Sequence, residues 1–248
     1  DHVISVNENA IKIMSKRGLS PNRFSHIPNG VPIINRTKNK DKMKYQNICS
    51  KLKKGGWFIV GYSGALSKVY GLHYLAEASR ILQNEKVAFI LAGTGEYEEE
   101  LRQMTKDLNN FHFIGWINKQ YLQDYLGLVD ICFAGLLNIP SFTYGSDSTK
   151  LYEYMNARKP IIHSISNKNS LVEKAQCGVR VQAEDSNSIA DGILKLKSKD
   201  SETLKTIGQN GYTYLIKNNT YEVITRRWIE LINSYSQNKL TLKNESKN

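Results

Sequence analysis

One stretch of the chain gathers groups that can hold an anion and a diol: Ser148, Thr149, Lys150 and Glu153, followed by Met155 and then by the apolar Pro160, Ile161 and Ile162. The pattern predicts a polar loop running into a helix and then a buried strand, with small hydroxyls, a lysine and one carboxylate at a helix N-terminus beside a sheet. Free N–H groups of a first helical turn favour phosphate, Lys150 adds a full positive charge, and Glu153 can accept two hydrogen bonds from a vicinal diol such as a ribose. The same residues also suit a capped amphipathic helix with Glu153 as a solvated first-turn acid, so this stretch alone leaves two readings open.

Three further turns, each after a predicted strand, carry residues of a similar kind. The first runs through Gly64, Ala65, Lys68 and Gly71 into a helix; glycine lets a phosphate approach the backbone, and Lys68 can neutralise it. The second, Gly93-Thr94-Gly95, also precedes a helix, and at the third, Gly115-Trp116-Ile117, an aromatic ring and exposed backbone can hold a planar base. Each has a plainer use as well, in tight packing, helix capping or a core tryptophan. Their shared position matters more, since ligands of open parallel sheets sit outside the carboxyl ends of the strands.

Such a sheet is what the surrounding pattern predicts. Apolar runs at 57–62, 87–92, 111–114, 131–133, 160–164 and 179–182 alternate with amphipathic segments at 71–82, 96–108, 119–128, 149–157 and 169–175. Repeated βα alternation requires a parallel sheet covered on both faces, giving an α/β, Rossmann-like domain. Ahead of it stand a strand at 2–6, a helix closed by Gly18, and a strand entering an Asn29-Gly30 turn. The lysine- and asparagine-rich segment 35–54 reads as a linker that becomes a surface helix. Helices at 188–197, 201–217 and 221–236 precede a polar tail expected to be disordered. The expected units are therefore 1–35, the site-bearing domain 36–217, a C-terminal helix 218–236 and a tail 237–248.

With 248 residues, 40% of them hydrophobic, the chain can bury a full core, which argues against a disordered protein. A net charge of +11 implies a surface attracted to phosphate or anionic lipid. Lysine predominates over arginine and no clustered aromatic surface is apparent, which argues against a nucleic-acid partner. Cys49, Cys132 and Cys177 are odd in number and form no CxxC pair, so neither a disulfide framework nor a zinc site is expected, and a reducing, cytoplasmic setting fits. The histidines are scattered and no Asp-x-Asp pair occurs, so no metal or other cofactor is expected. No run approaches about eighteen apolar residues and no signal-peptide pattern opens the chain. A start at Asp1 without methionine reads as a fragment.

Strand-end glycine loops together with Lys150 and Glu153 describe a pocket for a nucleoside diphosphate, and in these residues the chain resembles a known family. It is similar to the C-terminal, donor-binding half of retaining glycosyltransferases of the GT-B fold, family 4 (glycosyl transferases group 1). The likeness runs from Asp1 to about Ser236 through Ile27-Pro28-Asn29-Gly30-Val31, the loop 64–71, residues 89–96, Phe113-Ile114-Gly115-Trp116, residues 125–130, the segment 150–162, and a C-terminal helix with Trp228.

The resemblance implies roles. Glu153 matches a glutamate that binds the ribose hydroxyls, while the position eight residues earlier, a donor-sugar glutamate in many relatives, is Gly145 here. Asp147, or backbone around Gly145 and Ser146, is expected to contact the sugar instead. Ser148, Thr149 and Lys150 match a loop whose amides face the distal phosphate, and Gly115, Trp116 and Ile117 match the base-recognition turn. Where many relatives carry an arginine and a lysine in the first loop, this chain has Ala65 and Tyr70, so Lys68 and Lys150 are expected to supply the charge. The implied activity is metal-independent transfer of a sugar, from a UDP-linked donor first and a GDP-linked one second, with retention. The implied acceptor is a saccharide or lipid-linked saccharide of bacterial surface polysaccharide or lipopolysaccharide, met at the inner face of the cell membrane. The acceptor side is normally built by an N-terminal domain, so the fragment alone is expected to bind donor and turn over little. A non-catalytic sugar-nucleotide module, or half of a two-chain transferase, fits the same residues. A nucleotide-sugar epimerase would need acid and base groups that the sequence does not single out.

Overall fold

The alternating segments form strands and helices in turn in the computed structural model, which describes residues 2–35, 44–142 and 147–245. An N-terminal unit holds β1 (Val3–Ser5), α1 (Ala10–Lys16) and β2 (Phe24–His26), with β1 and β2 paired in parallel. Then follow α2 (Lys44–Lys54), β3 (Phe58–Ser63), α3 (Leu72–Ile81), β4 (Val87–Ala92), α4 (Glu98–Met104), β5 (Phe111–Gly115), α5 (Lys119–Leu128) and β6 (Ile131–Gly135). The remainder is α6 (Thr149–Asn156), β7 (Ile161–Ser164), α7 (Leu171–Lys174), β8 (Gly178–Val181), α8 (Ser186–Lys197), α9 (Ser201–Asn218) and α10 (Tyr221–Glu245).

Strands β3 to β8 form one parallel sheet in the order β5-β4-β3-β6-β7-β8. The chain winds outward from β3 through β4 to β5, then returns to the other side of β3 with β6 and winds the opposite way. This reversal opens a crevice between the loops after β3 and β6, and it puts the 64–71 loop opposite α6. Neighbouring residues of each strand alternate between two cores. Val60, Tyr62, Phe89 and Ile131 pack with Leu72, Leu75 and Ile193, while Ile59, Ile90 and Cys132 pack with Tyr125, Tyr154 and Met155. The three cysteines are buried and unpaired.

Several boundaries differ from the sequence reading. The helix expected at 96–108 is confined to Glu98–Met104, because the chain through Gly95 and Tyr97 is tied to the first loop. The residues expected as a disordered tail from 237 are helical as far as Glu245. Of the linker-and-helix segment 35–54, residues 36–43 lie outside the described residues, and α2 buries Tyr45 and Cys49 against the second core. Asn29-Gly30 is not a left-handed turn but a pinned link: Val31 N–H donates to the Asn219 carbonyl at 2.9 Å, and Asn219 Nδ2 to the Asn29 carbonyl at 3.2 Å. Gly30 is small because Tyr221 and Ile224 lie 3.0 and 3.1 Å from where its Cβ would stand. At the far end α10 returns to the N-terminal unit, where the Tyr235 and His2 rings meet with centroids 4.9 Å apart.

The glycines of the second loop have a packing reason. Gly93 has φ +144°, and a Cβ there would lie 1.8 Å from the Gly64 carbonyl oxygen. At Gly95 a Cβ would meet the Leu66 carbonyl oxygen at 2.3 Å. The two loops are zipped backbone to backbone by Gly64 N–H to Ala92 O (3.0 Å), Leu66 N–H to Thr94 O (2.9 Å) and Tyr97 N–H to Leu66 O (3.0 Å). Gly93→Ala therefore combines backbone strain with a clash and is expected to cost more than about 2 kcal/mol in urea denaturation; a loss under about 0.5 kcal/mol would mean that the loops separate freely.

Candidate functional site

Helix α6 is docked on the end of β3 by two side chains one turn apart. Leu151, Tyr154 and Met155 are buried, and the Tyr154 hydroxyl accepts a hydrogen bond from Ser63 N–H at 3.0 Å. Lys150, a turn earlier on the same face, reaches the loop after β3. Its Nζ donates to the Tyr62 hydroxyl at 2.8 Å and lies 4.0 and 4.1 Å from the ring centroids of Tyr62 and Tyr70. The Tyr62 hydroxyl in turn donates to the Ala65 carbonyl at 2.6 Å. A Cβ on Gly64 would stand 3.0 Å from Lys150 Cε and 3.1 Å from its Nζ, so the ammonium lies directly behind that glycine.

Aromatic faces favour a cation without neutralising it. No carboxylate comes within 4.0 Å of Lys150 among the described residues, since Glu153 pairs with Lys119. Burial lowers the Lys150 ammonium to about 7, opposed only in part by Glu153. The charge is held in place with unspent field, and an anion arriving in front of Gly64 restores its ordinary basicity.

A cavity of about 390 Å³ opens in front of this arrangement, lined among others by Ser63, Gly64, Thr94, Trp116, Lys119 and Glu153. Gly64 N–H is spent on Ala92 O, whereas Ala65 N–H has no backbone partner among the described residues. Ser148 caps α6 in an extended conformation without a side-chain bond, which leaves the first amides of the helix facing outward. Ser63 Oγ is buried with no hydrogen-bond partner among the described residues, an orphan that a ligand can satisfy. Burial raises the Glu153 carboxyl, and Lys119 first, then Lys150, pull it back. Trp116 is 69% exposed at the rim, the placement expected of a stacking platform rather than of a core residue.

The structure thus brings together Gly64, Ala65, Gly93, Thr94, Trp116, Ile117 and Glu153 around the cavity, with Lys150 packed behind Gly64, Ser148 and Thr149 at the helix start and Gly115 at the base of the third turn. Gly95 stands behind them, packed on the Leu66 backbone. Lys68 does not join them: it is exposed, outside the cavity lining, with its ammonium 5.9 Å from the Tyr97 ring centroid. Asp147 is engaged at the link, where its carboxylate accepts from Asn29 N–H and the Tyr152 hydroxyl, and it does not line the cavity in front of Gly64. It borders a larger cavity of about 660 Å³ between α1 and α9, whose described lining carries Lys12, Lys168, Lys174 and Arg227 but no glycine. Gly145 and Ser146 lie outside the described residues. Sequence reasoning missed Tyr62, Tyr70 and Lys119. Tyr70 stood out only as a departure from the resemblance, and Lys119 follows the base turn with no motif of its own.

A doubly wound parallel sheet returned upon by a long C-terminal helix is the Rossmann-like domain of a GT-B fold. The chain belongs to the glycosyl transferases group 1 family, whose model matches residues 58–199. The structure is similar to that of Anabaena HepE in complex with UDP-glucose (TM-score 0.75, 21% identity), with 94% of this chain and 64% of that one covered. It is also similar to a point mutant of Staphylococcus aureus TarM in complex with fondaparinux, α-GlcNAc-glycerol and UDP (TM-score 0.71, 20% identity), with 94% and 44% covered. The C-terminal domain of the group 1 glycosyl transferase LpcC from Francisella tularensis is covered completely by 77% of this chain (TM-score 0.59, 19% identity). The chain therefore spans less than two-thirds of HepE and less than half of TarM. No curated protein matches the sequence. Among the described residues no helix is long and apolar enough to cross a membrane.

The caged lysine has a measurable cost in the free protein. Its basicity is lower folded than unfolded, so the penalty is complete below about pH 7 and fades as pH rises toward the ordinary lysine value. Lys150→Met is expected to melt higher than the parent near about pH 6, with the gap narrowing by about pH 9. A variant that melts lower at both pH values would mean that the ammonium is a structural tie.

Proposed function

We propose that this chain is the donor-binding part of a retaining, family 4 glycosyltransferase that takes a sugar from a nucleoside diphosphate, UDP first. The observation that carries the reading is the Lys150 ammonium held behind Gly64, itself a lining residue of the switch-point cavity, with no counter-ion among the described residues. The diphosphate lies on Gly64, Ala65 and the first amides of α6, the ribose diol meets Glu153, and the base rests against Trp116 and Ile117. UDP in the HepE and TarM complexes supports the choice of nucleotide.

When the sugar leaves, negative charge grows on the distal phosphate while the anomeric carbon becomes oxocarbenium-like. Lys150 and the amides are fixed before the reaction, so they stabilise that charge without reorganising, an effect often worth a few kcal/mol per donor. Charge neutralisation by lysine and backbone takes the place of a metal ion in this reading. The acceptor, a saccharide or a lipid-linked saccharide of a bacterial surface polymer, enters from the side built by the portion of the relatives that this chain does not span. Alone, the chain binds donor and transfers little. The net charge of +11 supports a peripheral contact with anionic membrane where a lipid-linked acceptor lies.

Calorimetric titration with UDP-glucose tests this. Its phosphates carry no proton near neutrality, so the pH dependence belongs to the protein. Affinity is expected to fall on the order of tenfold between about pH 6.5 and 8.5 as Lys150 discharges, and Lys150→Met is expected to remove that slope. Glu153→Ala is expected to weaken binding by about ten- to a hundredfold while leaving the slope. A folded chain that binds no UDP- or GDP-linked sugar at millimolar concentration would overturn the reading.

A further inference from the structure

Lys119 is placed against local preference. It is the first residue of α5, where the helix dipole favours an acid, and α5 has no acidic residue in its first turn. Asn118 caps the helix by accepting from Gln120 N–H at 3.1 Å, so Lys119 is not needed to start it. A local rule broken without a structural return points to function. The return lies across the cavity, where Lys119 Nζ stands 4.0 Å from Glu153 Oε1.

That distance is too long for a direct hydrogen bond. It is the right span for one oxygen atom that accepts from the ammonium and donates to the carboxylate, with both legs at about 2.8 Å. Only a group that is donor and acceptor at once can sit there, and a hydroxyl is such a group. Among the described residues no hydrogen bond reaches the Glu153 carboxylate, so both its oxygens are free to accept. Lys119 is the strongest of the charges that hold Glu153 ionised against its burial. Its own side chain is 68% exposed, so it can move to meet a ligand without unpacking the fold.

We infer that Lys119 is a specificity-determining residue: with Glu153 it brackets one hydroxyl of the ribose vicinal pair, and so makes recognition of the nucleotide depend on that hydroxyl. The inference rests on the nucleotide reading above and adds to it a residue and a selectivity. A carboxylate alone accepts from a diol whether or not a lysine stands by. The bracket instead penalises a deoxy analogue twice, because removal of the hydroxyl takes the bridging hydrogen-bond partner from both charged groups at once.

The test is calorimetric titration of the chain, its Lys119→Met variant and its Lys119→Arg variant with UDP, 2′-deoxy-UDP and 3′-deoxy-UDP, and with the matching guanosine series. The parent is expected to bind at least one deoxy analogue about tenfold or more weaker than the ribonucleotide. In Lys119→Met that ratio is expected to shrink several-fold for one of the two analogues only, and Lys119→Arg is expected to keep most of it. If Lys119→Met weakens the ribonucleotide and both analogues by one common factor, Lys119 acts only as a general charge and the bracket is wrong, while the nucleotide reading stands. If no nucleotide of either series binds the folded parent, the nucleotide reading falls and the bracket with it.

Discussion

The site depends on one half-buried cation. Lys150 is largely withdrawn from water between the rings of Tyr62 and Tyr70, and among the described residues it has a single hydroxyl as hydrogen-bond partner and no carboxylate within 4.0 Å. Stability alone would favour an apolar residue in that position. Its charge is directed through Gly64, which has no side chain to block it, toward a cavity containing an orphaned serine hydroxyl. Such a group is costly in the empty protein and becomes favourable when an anion arrives, the pattern expected of a preorganised binding site.

The rest of the fold holds that arrangement still. Reversal of strand order at β3 and β6 creates the crevice, and Tyr154 ties α6 to the end of β3 so that Lys150 has a fixed origin. The second glycine loop sets the height of the first by direct backbone contact, which is why side chains are excluded at Gly93 and Gly95. Tyr125, fully buried, donates to the Ile90 carbonyl at 2.6 Å and the Tyr62 carbonyl at 3.3 Å, joining β3 and β4 just below the loops. At the other side Asp147 and Asn219 fasten the 27–31 link, so the approach to α6 from the N-terminal unit is fixed as well.

Much of this was legible in order and spacing. Apolar runs of strand length separated by amphipathic segments gave the parallel sheet, because buried strands and their covering helices leave different periods. Gly64, Trp116, Lys150 and Glu153 stood out as residues of unusual chemistry at strand or helix ends. What sequence could not reveal was direction and partnership. Lys68 and Lys150 look alike in a chain, yet one lies exposed beside Tyr97 and the other is caged. Tyr70 read as the loss of a positive charge, whereas its ring supports the lysine that replaces it. Asp147 read as a candidate for the sugar, but its partner Asn29 is remote in sequence. Lys119 was invisible for the same reason, since its meaning comes only from Glu153 across the cavity.

The most direct measurement of the central claim is a crystal structure of the chain grown with UDP-glucose. The account places the diphosphate against Gly64, Ala65 and the start of α6 with Lys150 behind it, the ribose on Glu153, and the base at Trp116. A nucleotide seated instead in the larger cavity between α1 and α9, away from Lys150, would contradict it.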